Sequence, residues 1–230
     1  MGAVWMGWLL GTVLGMRHAL EPDHLAAVST MLAENRNPRL APWLGAFWGL
    51  GHSLGLLLLG GLLALAQAQL PDVWGNTLEL LVALMLCSLG ARAMWNAWSG
   101  ARLRVAIVHH HGGVMHVHRE PPPHVHVGRW TLLKKPLGVG VVHGLAGSGA
   151  MVALVLAEQP TFAQQLLHIT LFGLGSVVGM AALAGTAGAG VARLMQKPRV
   201  SFSLLMGSGL LSVGMGLNWG AASLQRLLGT

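Results

Sequence analysis

One short segment of this sequence sets ionisable side chains directly beside a long apolar run. Arg17-His18-Ala19-Leu20-Glu21-Pro22-Asp23-His24 follows residues 3–16, which contain no charged residue. Imidazole and carboxylate together suit a divalent transition metal such as Ni²⁺, Co²⁺ or Zn²⁺, and ligand type alone does not choose among them. On a regular helix, at 100° per residue, His18 would lie about 140° from Asp23 and about 120° from His24, so one face cannot hold all three. Pro22 changes that expectation. It has no N–H to give to the carbonyl of His18, and its ring crowds that carbonyl. A break there is predicted to turn His18, Asp23 and His24 toward one point. It would also free backbone groups as further ligands, which is tolerated where backbone lines a cavity. Glu21 stands four residues after Arg17, the spacing of a helix-surface ion pair, so the expectation is that it neutralises Arg17.

Two more histidines fall inside apolar runs. His52 sits in Gly-Leu-Gly-His-Ser-Leu-Gly and His143 in His-Gly-Leu-Ala-Gly-Ser-Gly, where the glycines permit close helix approach. Both are candidate partners of the first three, although a lone intramembrane histidine also commonly just hydrogen-bonds a neighbouring helix. His168 reads as lying nearer the outer face and is left outside the site. A separate tract holds seven of the twelve histidines: His109, His110, His111, His116, His118, His124 and His126. His-rich tracts read as metal binding. Its glycines and Pro121–Pro123 argue against a packed fold there, so flexible capture of metal is expected.

The elements that must position these residues are membrane spans. The 230 residues are 53% hydrophobic and 9% charged, with a mean hydropathy of +0.60, against roughly 25% charged in a soluble domain. Apolar runs at 3–31, 43–68, 73–98, 135–157, 161–190 and 200–228 predict an all-α integral membrane protein of six transmembrane helices. The first run has no basic n-region and no cleavage pattern, and is expected to be a retained span rather than a signal peptide. The single cysteine, Cys87, excludes disulfide frameworks and Cys-based zinc sites. The net charge of +7 does not point to nucleic acid. Eleven of the fourteen Lys and Arg residues lie in or beside the connections 32–42, 99–134 and 191–199, while the opposite side has only Arg226. By the positive-inside rule those three connections are cytoplasmic and both termini are outside.

The two halves resemble each other. Gly15, His18 and Leu20 match Gly140, His143 and Leu145 at an offset of 125. Trp48-Gly-Leu-Gly51 with Gly55 matches Phe172-Gly-Leu-Gly175 with Gly179 at 124, as Ser88, Gly90 and Trp95 match Ser212, Gly214 and Trp219. Three spans per half force the second copy to insert upside down. The predicted organisation is therefore a 3+3 inverted repeat, with 1–98 and 135–230 as repeats flanking a His-rich cytoplasmic loop at 99–134. In such an architecture the site lies at the midplane between the halves.

With these residues in hand, the chain resembles the nickel/cobalt transporter superfamily. The family signature, His-x4-Asp-His within Arg-His-Ala-x-Asp-Ala-Asp-His, stands here as Arg17-His18-Ala19-Leu20-Glu21-Pro22-Asp23-His24. The Leu25-Ala-Ala-Val28 that follows, the Gly-His-Ser around His52 and the His-Gly-Leu-Ala-Gly-Ser from His143 are also similar. The Phe-Asp-Thr-Ala-Thr-Glu motif of larger, eight-span members is absent, and the short form is similar to transporters associated with urease genes. The resemblance implies Ni²⁺, with Co²⁺ as a further substrate, carried by His18, Asp23 and His24. No prosthetic group is expected; the divalent ion, the lipid bilayer and a cytoplasmic metallochaperone are the expected partners. Efflux members, which also often carry a His-rich loop, tend to have Gly-His where this chain has Asp23-His24, so uptake is expected, with an efflux permease as the alternative. A non-transporting metal sensor or carrier built on the loop is a further rival. An intramembrane serine hydrolase is another, since His143 and Ser148 share a span. Its Gly-x-Ser-Gly motif fails, because the chain reads Ala146-Gly147-Ser148-Gly149. No P-loop is present, so energy would come from a membrane potential, an ion gradient or a partner.

Overall fold

The structure is a computed structural model. It describes residues 2–34, 38–102, 107–111, 114–118, 129–146, 155, 158–194 and 196–229, and for 2–7, 100–102, the two strands, 129–132 and 198 it describes the backbone alone. Among the described residues the helices are α1 (Gly2–His18), α2 (Pro22–Glu34), α3 (Ala41–Ala66), α4 (Asp72–Arg102), α5 (Arg129–Ala146), α6 (Phe162–Leu194) and α7 (Pro198–Leu228). α3, α4, α6 and α7 are each long and apolar enough to cross a bilayer. The run expected as one first span is instead two helices. The fourth run starts earlier than expected, at Arg129, and residues 147–154 lie outside the described set.

The break between α1 and α2 follows from Pro22. His18 O accepts from Glu21 N at 3.0 Å, and Arg17 O accepts from Leu20 N at 2.9 Å, so the chain closes α1 in a tight turn. Pro22 then occupies the first position of α2, where a missing N–H costs nothing and its fixed φ favours a helix start. Glu21 N thus bonds the His18 carbonyl that Pro22 leaves without its helical donor.

The His-rich loop also departs from expectation. Ile107–His111 and Val114–His118 pair as an antiparallel hairpin in which His109 stands opposite His116 and Ile107 opposite His118. β-branched Ile107, Val108, Val114 and Val117 supply the strand propensity that the glycines and prolines obscured. His124 and His126 lie outside the described residues.

The helices pack by small residues inward and leucines outward. On α3, Gly45, Gly49, Gly51, Ser53 and Gly55 are buried, while Leu50, Leu54, Leu58, Leu62 and Leu65 are exposed. That pattern fits lipid outside and close backbone contact inside. Going along α1, Gly11 lies on His168, Gly15 on Phe172 and Ser176, and Met16 and Ala19 on Gly179; α1 and α6 therefore run parallel, and a Cβ at Gly15 would strike the Phe172 carbonyl. Gly51 against Leu137 and Gly140 against Trp48 join α3 and α5 the same way. α3 and α6 cross antiparallel, Gly49 on Val177 and Ser53 on Gly173, with Ser53 Oγ donating to Gly173 O at 2.8 Å. α4 packs on α7, also antiparallel, where Ser212 Oγ donates to Leu86 O at 2.8 Å.

Candidate metal centre

Five side chains from four helices converge where these contacts meet. The turn after α1 brings His18 to the start of α2, which supplies Asp23 and His24. α3 supplies His52 and α5 supplies His143. Asp23, His24, His52 and His143 are at most 2% exposed. Asp23 Oδ1 accepts from His24 Nδ1 at 3.0 Å, and Oδ2 accepts from His143 Nε2 at 2.7 Å. His18 Nε2 lies 3.1 Å from His52 Nε2, and His18 Nδ1 lies 2.9 Å from Glu21 Oε1. The rings of His24 and His143 are 4.3 Å apart, and those of His18 and His24 are 4.4 Å apart.

The hydrogen-bond pattern assigns the tautomers. A carboxylate only accepts, so His24 carries its proton on Nδ1, His143 on Nε2 and His18 on Nδ1. His18 Nε2 is then an acceptor, and His52 must donate to it from Nε2. Both ring nitrogens of His18 are then engaged, while His24, His52 and His143 each keep one nitrogen with a free lone pair. His24 Nε2, His52 Nδ1 and His143 Nδ1 are buried without a partner among the described residues. A buried polar atom left unpaired costs stability, whereas a neutral imidazole lone pair is a metal donor. Asp23 and Glu21 act here as the groups that orient the rings, the usual role of carboxylates behind metal-binding histidines.

Two overlapping donor groups have atoms close enough to share an ion: His18, His24 and His52, and Asp23, His24 and His143. Two aromatic rings cap them. Phe172 lies 5.2 Å from His18, and Trp48 lies 5.8 Å from His143 and 5.3 Å from His24. Trp48 and Phe172 occupy matched positions of the two halves. Sequence reading used them only to align the repeat.

Every residue predicted for the membrane site is thus in one cluster. His143 closes on Asp23 and His24, however, and the neighbour of His18 is His52. Glu21 pairs with His18, not with Arg17 as expected, because the turn ends α1 before the i,i+4 geometry is reached. His168 sits away from the cluster, its ring against Gly11 on α1. Ser148 lies outside the described residues.

Comparison with known proteins gives this geometry its context. Residues 4–206 match the NicO model, described as a high-affinity nickel-transport protein. The chain belongs to the NicO family. The urease accessory protein UreH of Bacillus sp. (strain TB-90) is 32% identical over 210 residues, covering 91% of this chain and 88% of that protein. The chloroplast proteins FOR GROWTH AND FERTILITY 1 and 2 of Arabidopsis thaliana are 28% and 27% identical. The alignments cover 94% of this chain in both cases, but only 58% and 55% of those longer proteins. No solved structure matches. This NicO chain is a multi-pass membrane protein of a transport family, and its function is nickel transport.

Proposed function

We propose that this chain is an uptake permease, carrying Ni²⁺, and Co²⁺ as a second substrate, into the cytoplasm by alternating access. The ion would bind between the halves on His18, Asp23, His24, His52 and His143. The observation that carries this reading is a buried cluster in which three imidazole nitrogens have no partner among the described residues and two groups of donor atoms lie close enough to share an ion. These donors come from four different helices, so a change of helix arrangement would separate them and release the ion. No residue here is assigned a catalytic role.

The organisation we infer is six spans in a 3+3 inverted repeat, with repeats at 1–98 and 135–230 and the loop at 99–134 between them. In that arrangement α1 and α2 form the first span. The packing supports it: α1 runs parallel to α6, α6 antiparallel to α3, and α3 parallel to α5, so α1 and α5 oppose each other. With the basic connections inside, both termini lie outside and the His-rich loop is cytoplasmic, placed to receive the ion or pass it to a metallochaperone. Metal binding requires deprotonated ligands. Affinity should therefore weaken as pH falls.

Flux of Ni²⁺ into proteoliposomes of known orientation tests transport and direction together. Accumulation driven from the external to the cytoplasmic face supports uptake. Flux only in the reverse sense would make the chain an efflux permease with the same site.

A further inference from the structure

A second polar cluster lies at the other end of α2. Glu34 Oε1 accepts from Arg92 Nε at 3.2 Å and from Asn96 Nδ2 at 2.9 Å, and Oε2 accepts from Lys135 Nζ at 3.1 Å. The carboxylate is mostly buried, and it lines a cavity of about 270 Å³ together with Met31, Leu44, Asn96 and Lys135. This cluster joins the same two helices as the metal centre. α2 carries Asp23 and His24 at its start and Glu34 at its end. α5 carries His143 deep in the bundle and Lys135 two turns nearer its start. His24, Ala27, Met31 and Glu34 repeat at spacings of three and four, so they form one stripe about 15 Å long down α2. His24, Ala27 and Met31 are all buried.

We propose that Glu34 is a second, inner ion station on the release path and that Lys135 is a tethered cation holding its place in the closed state. The inference rests on the permease reading above. The ammonium of Lys135 sits against Glu34 Oε2, where a divalent cation leaving the central site along α2 would meet the next carboxylate of that helix. Met31 adds a thioether and Asn96 an amide, donors that a borderline ion such as Ni²⁺ accepts. Arg92 remains on Oε1 and keeps the carboxylate oriented. Because Lys135 belongs to the second half and Glu34 to the first, the bridge also ties the halves together on the side that must open for release. Displacing Lys135 exchanges one cation for another at Glu34 and opens the cavity in the same step.

The test is Ni²⁺ stoichiometry of the full-length purified protein by equilibrium dialysis, comparing wild type, Lys135→Ala, Lys135→Arg and Glu34→Gln/Lys135→Ala. Lys135→Ala should bind one more equivalent than wild type. Lys135→Arg should bind the wild-type number, and the double variant should lose the extra equivalent. An unchanged stoichiometry in folded Lys135→Ala, or an extra equivalent that survives Glu34→Gln, overturns the proposal. A parallel readout uses Leu44→Cys in a Cys87→Ser background. Labelling by an impermeant maleimide from the cytoplasmic face should accelerate several-fold with Lys135→Ala and not with Lys135→Arg; equal rates contradict the closure. His24→Ala separates the two readings. It should lower stoichiometry by the central equivalent while leaving the gain from Lys135→Ala intact. If His24→Ala changes nothing, the central site fails, and the Lys135 comparison is still decided by its own result.

Discussion

The two halves use one packing scheme and two different chemistries. Gly15 of α1 lies on Phe172 and Ser176, and its counterpart Gly140 of α5 lies on Trp48 and His52. Phe172 stacks near His18, and Trp48 near His143. The ligands do not follow this symmetry. Where the first half has His52 facing His18, the second has Ser176, whose hydroxyl donates to Gly15 O at 3.2 Å and Phe172 O at 3.0 Å. The acid that orders the cluster, Asp23, comes from the first half alone. Matched glycine contacts thus set backbones at contact distance twice, while the donor atoms are concentrated beside one break. Helix packing tolerates repetition because it needs only small residues at fixed spacing. A metal site does not, because a second carboxylate in the same dry volume would be a further buried charge.

The sharpest way to break this comparison is at Asp23. Asp23→Asn keeps the shape but removes the charge and one acceptor that fix His24 and His143. Ni²⁺ flux should fall by more than about 100-fold, at or beyond the upper end of the 10–100-fold typical of supporting residues. Near-normal flux would show that the asymmetry has no functional meaning. His52→Ala should weaken Ni²⁺ affinity by roughly 10–100-fold, whereas Ser176→Ala, its counterpart, should cost about 1 kcal/mol of stability and leave affinity within about twofold; isothermal titration of both variants checks the contrast. The packing side of the comparison predicts equality instead. Gly15→Ala and Gly140→Ala should each destabilise the fold by about 1–3 kcal/mol, since each new methyl meets a backbone carbonyl. Gly138→Ala and Gly190→Ala, which meet nothing within 4 Å, should be neutral or stabilising by up to about 1 kcal/mol. Thermal unfolding in detergent orders the four. The smallest effect is expected for the loop: deleting residues 109–126 should reduce capture of Ni²⁺ at low concentration while central-site binding and saturating flux remain measurable.

Much of the site was legible because the bilayer makes ionisable residues conspicuous. His18, Asp23 and His24 stand against an apolar run, and Pro22 announces the break that lets them converge. His52 and His143 were readable from their glycines and from the repeat. What sequence could not show was pairing. Glu21 looked like the partner of Arg17 because four residues separate them, and the turn at 19–21 gave it to His18. Glu34 falls in the connection 32–42, and nothing in one dimension places Arg92, Asn96 and Lys135 around it. α3, α4, α6 and α7 were legible as spans from hydropathy, but the pairing of 107–111 with 114–118 was hidden by the glycines and prolines of the same tract.

The central claim is that the transported ion rests among His18, Asp23, His24, His52 and His143. Anomalous diffraction at the nickel edge, from crystals soaked in limiting Ni²⁺, tests it most directly. The account predicts a peak within coordination distance of His24 Nε2 and of at least two of the other four residues, lost in Asp23→Asn. A peak confined to the His-rich loop, with none between α2, α3 and α5, would contradict it.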